Sequence, residues 1–390
     1  MKPPQQVSAR IGPLLGSAIL LVLGLTVAGV ISELFARMFF PHWAPRTGAL
    51  TSFWRHDSLL GWSHVPMSQG SFNSFGFESI VSINSKGFRD VERSYTREPS
   101  KYRIVVLGDS MVWGWGVQQD AIFTAMMESH RDDLEVINLG VSGYGTDQEL
   151  LLLRQEAVRY RPDMIIVLVM DNDFDTNVRK SLFLGYQKPM FEVDDKGDLI
   201  LTNTPVPEQS MWMRIAGWPV RHSYLLNQSA RAYEQFVLHI GPLSPENSIS
   251  SPVRMTTFPR TSEEALTASL LLQIQKETQK IGSELVLVLT DRLGKQGVEI
   301  EKYFKSHGLH VLNLDPFFSK DDFEILHLPD RIHWSARGHQ TVTDSVLTYL
   351  RNGSLLEKRS GAKKNLAADS NGFISSHDQD GALPTKLNAP

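Results

Sequence analysis

Apolar residues fall along this chain in three rhythms. The first is one unbroken run, "IGPLLGSAILLVLGLTVAGVIS" from Ile11 to Ser32, with no charged side chain. A helix that crosses a bilayer needs about 20 such residues. The second rhythm is a set of short β-branched runs: "RIVVL" (103–107), "LEVINL" (134–139), "DMIIVLVM" (163–170), "ELVLVLT" (284–290) and "LHVLNL" (309–314). Their near-continuous apolar character is that of strands buried on both faces. The third is a helical period over 119–130, 146–160, 262–281, 297–307 and 335–351. Strands alternating with helices predict an α/β fold, a parallel sheet with helices on both faces. Right-handed crossovers then leave few topologies.

These rhythms divide the chain. Residues 1–40 form a tail and transmembrane anchor. Residues 41–100 form an irregular lead-in, and 101–350 the α/β domain with an insertion at 181–260. Residues 351–390 make a polar tail with few large apolar residues, predicted to be disordered. The insertion is too long for an ordinary connection. It reads either as an inserted helical subdomain or as a lid over a cleft, since insertions at strand ends overlie the site in such sheets. Trp212, Trp218 and Tyr224 are its candidate pocket residues.

Composition narrows the function classes. The 390 residues carry a net charge of −4 and are 42% hydrophobic, which suits a globular protein with a real core. So balanced a charge leaves no basic footprint for nucleic acid. The absence of cysteine excludes disulfides, thiolate nucleophiles and cysteine zinc sites. No cofactor or metal is implied: the G-x-G-x-x-G, G-x-x-x-x-G-K-[ST] and H-E-x-x-H patterns are all missing. Lys2 and Arg10 ahead of the apolar run favour an N-terminus inside, although Arg37 and Arg46 follow it. An uncleaved anchor is preferred to a cleaved signal peptide, and either one exports the rest of the chain. Oligomeric state stays open.

Ligands of open α/β sheets sit at the carboxyl ends of the strands. Ser110 follows the first core strand in "GDS". The next two strands end in "NLGVSGYGTDQ" and "MDNDFDTN", and the last helix begins at "DRIHWSARGH". Each piece has a plain reading alone: Ser110 a turn or helix cap, "GVSGYG" a flexible turn, "DND" a polar loop, Ser335 a helix cap, and His339 a supporting or surface residue. Together they make a hydrolytic set. Serine needs a base to take its proton; His333 is a candidate, histidine being the side chain whose reference pKa lies near neutrality; Asp330 can orient it. The backbone N–H groups of Ser110 and Gly143 and the side-chain amide of Asn172 are candidate oxyanion donors.

In these four blocks the chain resembles the SGNH (GDSL-like) hydrolase family. "VVLGDSMVWGWGV" matches its first block and places the nucleophile on Ser110. "NLGVSGYGTDQ" places the oxyanion glycine on Gly143. "DNDF" stands where the family usually has Gly-x-Asn-Asp and places the oxyanion asparagine on Asn172, with Asp171 where a small residue is usual. "DRIHWSARGH" places acid and base on Asp330 and His333. "NSKGFRD", 84–90, looks like membrane-anchored bacterial members.

The resemblance implies a three-layer α/β/α sandwich with a flavodoxin-like sheet and a serine esterase working through an acyl-enzyme. The substrate would be an acylated carbohydrate or lipid with a short acyl group. The site would lie on the outer side of the bacterial inner membrane. An O-acyltransferase acting on cell-surface polysaccharide shares the first half-reaction. A non-catalytic carbohydrate-binding protein that keeps the fold is the alternative of a different class.

Overall fold

The computed structural model describes residues 11–40, 53–74, 77–182, 186–194, 196–208 and 258–356, with scattered positions between 211 and 232. Contacts divide the chain into two compact units, Met1–Leu347 and Thr348–Pro390.

Five strands form the central sheet: β5 (Tyr102–Leu107), β6 (Leu134–Asn138), β7 (Met164–Val169), β12 (Glu284–Leu289) and β13 (His310–Asn313). Their order is β13-β12-β7-β5-β6, and every pairing is parallel. In chain order this is 2-1-3-4-5, the flavodoxin-like arrangement. β5 and β7 are buried at every position, which is why they read as continuous apolar runs. Helices Thr146–Gln155, Ser262–Lys280, Gly294–Ser306 and Ala336–Asn352 accompany the sheet. The Ser262 helix starts where the Thr261 side chain accepts the Glu264 N–H. All five sheet strands lie within two residues of their predicted bounds. The chain reverses direction on the sheet between β5 and β7, and ligands of such folds bind at that switch point.

The irregular lead-in expected over 41–100 is corrected for its described part. Residues 54–82 form two antiparallel hairpins, β1 (Trp54–Asp57) with β2 (Gly61–His64), and β3 (Gln69–Ser74) with β4 (Phe77–Ser82). The strands are short, and none is a continuous buried apolar run. Phe72 and Val81 are buried while Ile80 is exposed, so no continuous apolar run marks them. Phe53, Phe72, Val81 and Ile83 pack with Trp113, Trp115 and Leu328 in a core of their own.

The insertion also opens on strands. β8 (Ser181–Leu182) pairs with β9 (Tyr186–Gln187), and β10 (Met190–Val193) with β11 (Leu199–Thr202). Lys188, fully buried, forms an ion pair with buried Asp147 and pins this segment to the domain. Trp212 and Trp218 lie outside the described residues, as does the tail beyond 356. Tyr224 lies beneath Arg37, whose guanidinium carbon is 4.9 Å from its ring centroid.

The N-terminal helix runs from Ile11 to Phe39. Over Gly16–Phe39 it is long and apolar enough to cross a membrane, and its apolar side chains stand exposed. Near its end Glu33 accepts hydrogen bonds from the Ser223 hydroxyl and from the Tyr224 and Leu225 N–H groups.

Candidate active site

Strand β5 delivers Gly108, Asp109 and Ser110 to the sheet edge. Side chains pack closely there: a Cβ on Gly108 would lie 2.3 Å from Val112 Cγ2 and 3.2 Å from Leu168 Cβ. Asp109 accepts the Met111 N–H at 2.9 Å and caps the short helix Ser110–Trp113. This turn presents Ser110 at the start of a helix, where its N–H has no intrahelical acceptor.

Ser110 Oγ lies 2.8 Å from His333 Nε2, and His333 Nδ1 lies 2.7 Å from Asp330 Oδ2. Asp330 Oδ1 accepts the N–H groups of Ile332 and His333 at 3.0 Å each. Arg331 between them takes a left-handed φ of 60°, which curls the loop back on itself. Burial works to raise the Asp330 carboxyl. The hydrogen bond and charge of His333, with the two backbone donors, overcome it and hold the group below its ordinary value. Asp330 therefore stays ionised and accepts from Nδ1–H, which leaves Nε2 to accept from the serine hydroxyl.

The remaining candidates sit at neighbouring strand ends. Asn172, just past β7, donates its amide to Asp109 Oδ2 at 3.1 Å, so it stands beside the Ser110 turn with a second amide hydrogen to spare. Gly143 follows β6 with φ of 81°, a conformation that favours glycine. Its N–H donates to no protein group among the described residues. Hydrogen bonds join Ser110, His333 and Asp330, while Asn172 bonds Asp109, the chain neighbour of Ser110, and Gly143 stands outside both sets. His339 is buried, not at the surface. Its Nδ1 accepts the Phe123 N–H at 3.3 Å, and burial pushes its pKa down to about 3.

Several positioning residues were not apparent in the sequence. Trp62, from the second lead-in strand, donates to the Ser142 carbonyl at 3.0 Å, while Tyr144 donates to the Trp62 carbonyl at 2.5 Å. Asn138 ends β6, accepts the Gly140 N–H and donates to the Val112 carbonyl. Arg89 of "NSKGFRD" is buried and donates to the Gly114 and Val117 carbonyls, clasping the loop after Ser110 from behind; burial lowers its pKa to about 9. After β12, Arg292 forks onto Asp171 at 3.0 Å and donates to the Arg331 carbonyl, tying the Asn172 loop to the His333 loop. Asp291 accepts from Trp334 and bonds His327. The clue available for this pair was position: "TDRL" leaves the same sheet edge as the other three loops.

Buried acids lie behind this edge. Glu149 and Asp173 are fully enclosed. Burial, helped by the charges of Asp109 and Asp147 and, for Glu149, that of Asp173, drives both well above the carboxylate range. Glu149 has no hydrogen-bond partner at either oxygen. Its raised folded value means that stability is greatest below the unfolded value of 4.5 and is lost as pH climbs through the folded one. Glu149→Gln is therefore expected to raise the melting temperature more at pH 8 than at pH 5. Calorimetry at the two pH values checks this, and an equal gain at both would refute it.

No protein-family model matches the chain, and no curated protein does. Among solved structures it is similar to a lipolytic protein of the G-D-S-L family from Desulfitobacterium hafniense, at 13% identity over 64% of this chain and 100% of that one, TM-score 0.35. It is also similar to a psychrotrophic esterase from Pseudoalteromonas sp., at 13% identity over 65% and 98% of the two chains, TM-score 0.34. A third is an acetylxylan esterase from Geobacillus stearothermophilus, at 10% identity over 65% and 96%, TM-score 0.35.

Proposed function

We propose that this chain is a membrane-anchored serine esterase that cleaves short acyl esters of carbohydrate or lipid. The observation that carries the reading is the continuous hydrogen-bonded path from Ser110 Oγ through His333 to Asp330. Ser110 Oγ attacks the acyl carbon while its proton passes to His333 Nε2. The Ser110 and Gly143 N–H groups and the Asn172 amide receive the oxyanion. Collapse breaks the bond to the alcohol, which leaves with the proton from Nε2. Water then repeats the sequence, its proton passing to His333 and back to Ser110 as the acid departs. Asp330 stays ionised throughout and balances the imidazolium.

The exposed apolar helix Gly16–Phe39 supports a single-pass anchor, with the catalytic domain on the outer side of the inner membrane. The detergent-solubilised chain is expected to hydrolyse p-nitrophenyl acetate. Supplied with oligosaccharide, it is expected to yield free acetate; acylated sugar by mass spectrometry would move the assignment to transfer. No turnover of any aryl or sugar acetate would refute the esterase. A C-terminal reporter active only in the cytoplasm would refute the topology.

A further inference from the structure

Trp115 lies in the loop that follows the Ser110 turn. Its indole stacks on the His333 imidazole, with ring centroids 5.2 Å apart and planes 15° from parallel. Its backbone N–H donates to the Ser110 carbonyl at 3.0 Å, so one residue is tied to both partners of the proposed proton transfer. The indole is held from its other surroundings. Phe72 meets it edge-on at 4.7 Å and 82°, and Trp113 packs at 5.9 Å. Only 9% of Trp115 is exposed.

We propose that Trp115 is a positioning residue that keeps the His333 ring plane aimed at Ser110 and stabilises the imidazolium formed when the serine proton arrives. The Asp330 bond at Nδ1 fixes one edge of the imidazole but leaves the ring free to rock about that bond. A flat surface stacked on its face removes the rocking. The face of an indole is also electron-rich, and of the aromatic side chains it attracts a cation best. Asp330 thus acts on the cation in the ring plane, and Trp115 acts on it from above.

The other charged groups around His333 belong to side chains that the Trp115 substitutions leave unaltered. Asp109, on the β5 loop, and buried His339, on the last helix, interact with it electrostatically. Arg292, on the β12 loop, acts through Asp330, and Arg331 beside it is drawn off by Glu324. A change seen in Trp115 variants therefore reports the indole.

The inference rests on the esterase reading for its catalytic meaning, but its test does not need turnover. In the full chain in detergent, the His333 ring is followed by NMR against pH, its signal identified by its loss in His333→Gln. In Trp115→Leu the titration midpoint is expected to fall by roughly 0.5 to 1.5 pH units, with Trp115→Phe in between. The acid limb of kcat/KM is expected to move to lower pH by the same amount, and kcat/KM to drop about 3- to 30-fold.

An unmoved midpoint in folded Trp115→Leu overturns the proposal. A second measurement leaves Trp115 intact. Indole emission of the parent is expected to fall as His333 gains its proton, and this step should vanish in His333→Gln. A parent trace without that step overturns the proposal whether or not the leucine variant folds. A moved midpoint in a chain without esterase activity would sink the esterase reading and leave the stacking effect standing.

Discussion

Ser110→Ala is expected to lower kcat on an acetate ester by about 10⁴-fold or more, a barrier increase of roughly 5 kcal/mol. The alanine removes the proposed nucleophile and leaves its neighbours' bonds available. Asp109 still caps the turn through Met111, and His333 keeps both bonds to Asp330. His333→Ala is expected to cost a similar factor, because a serine hydroxyl without its base is a poor nucleophile. The two losses should not add, since both residues serve one step. The double variant is expected to fall no lower than either single one. Steady-state kinetics on purified protein measures all three, and turnover within tenfold of the parent in Ser110→Ala would remove the serine from the mechanism.

The second large effect concerns the oxyanion. Asn172→Ala is expected to lower kcat about 10²- to 10³-fold with little change in KM, because the amide acts on charge that develops only in the transition state. Asn172→Asp makes the sharper test. It keeps the shape, exchanges the donor for an acceptor, and sets a second carboxylate against Asp109, which the amide bonds at 3.1 Å. Its loss is expected to equal or exceed that of the alanine. A kcat within about threefold of the parent in both variants would exclude Asn172 from the oxyanion site and leave that work to the backbone donors.

How much of this was legible follows from how each residue does its work. The five sheet strands announce themselves because both faces are buried, so nearly every position is apolar. The two lead-in hairpins were hidden: strands of four to six residues with mixed polar and apolar positions leave too short a signal. Ser110, Asn172, Asp330 and His333 stood out because reactive side chains at strand and helix ends form a recognisable set in order. Trp62, Asn138, Arg89 and Arg292 did not. They act on backbone carbonyls and on partners far along the chain, such as Asp171 for Arg292 at a separation of 121 residues. No local pattern encodes such a bond; only the fold creates it.

The lead-in hairpins set a boundary for anyone trimming this protein. They precede the sheet in sequence, yet they back Trp115 with Phe72 and hold the Ser142 carbonyl with Trp62. A derivative freed from its apolar helix has to keep everything from Phe53 onward. A cut made just ahead of β5, where the α/β pattern begins, would leave Ser110, His333 and Asp330 in the polypeptide but strip away the side chains packed behind them.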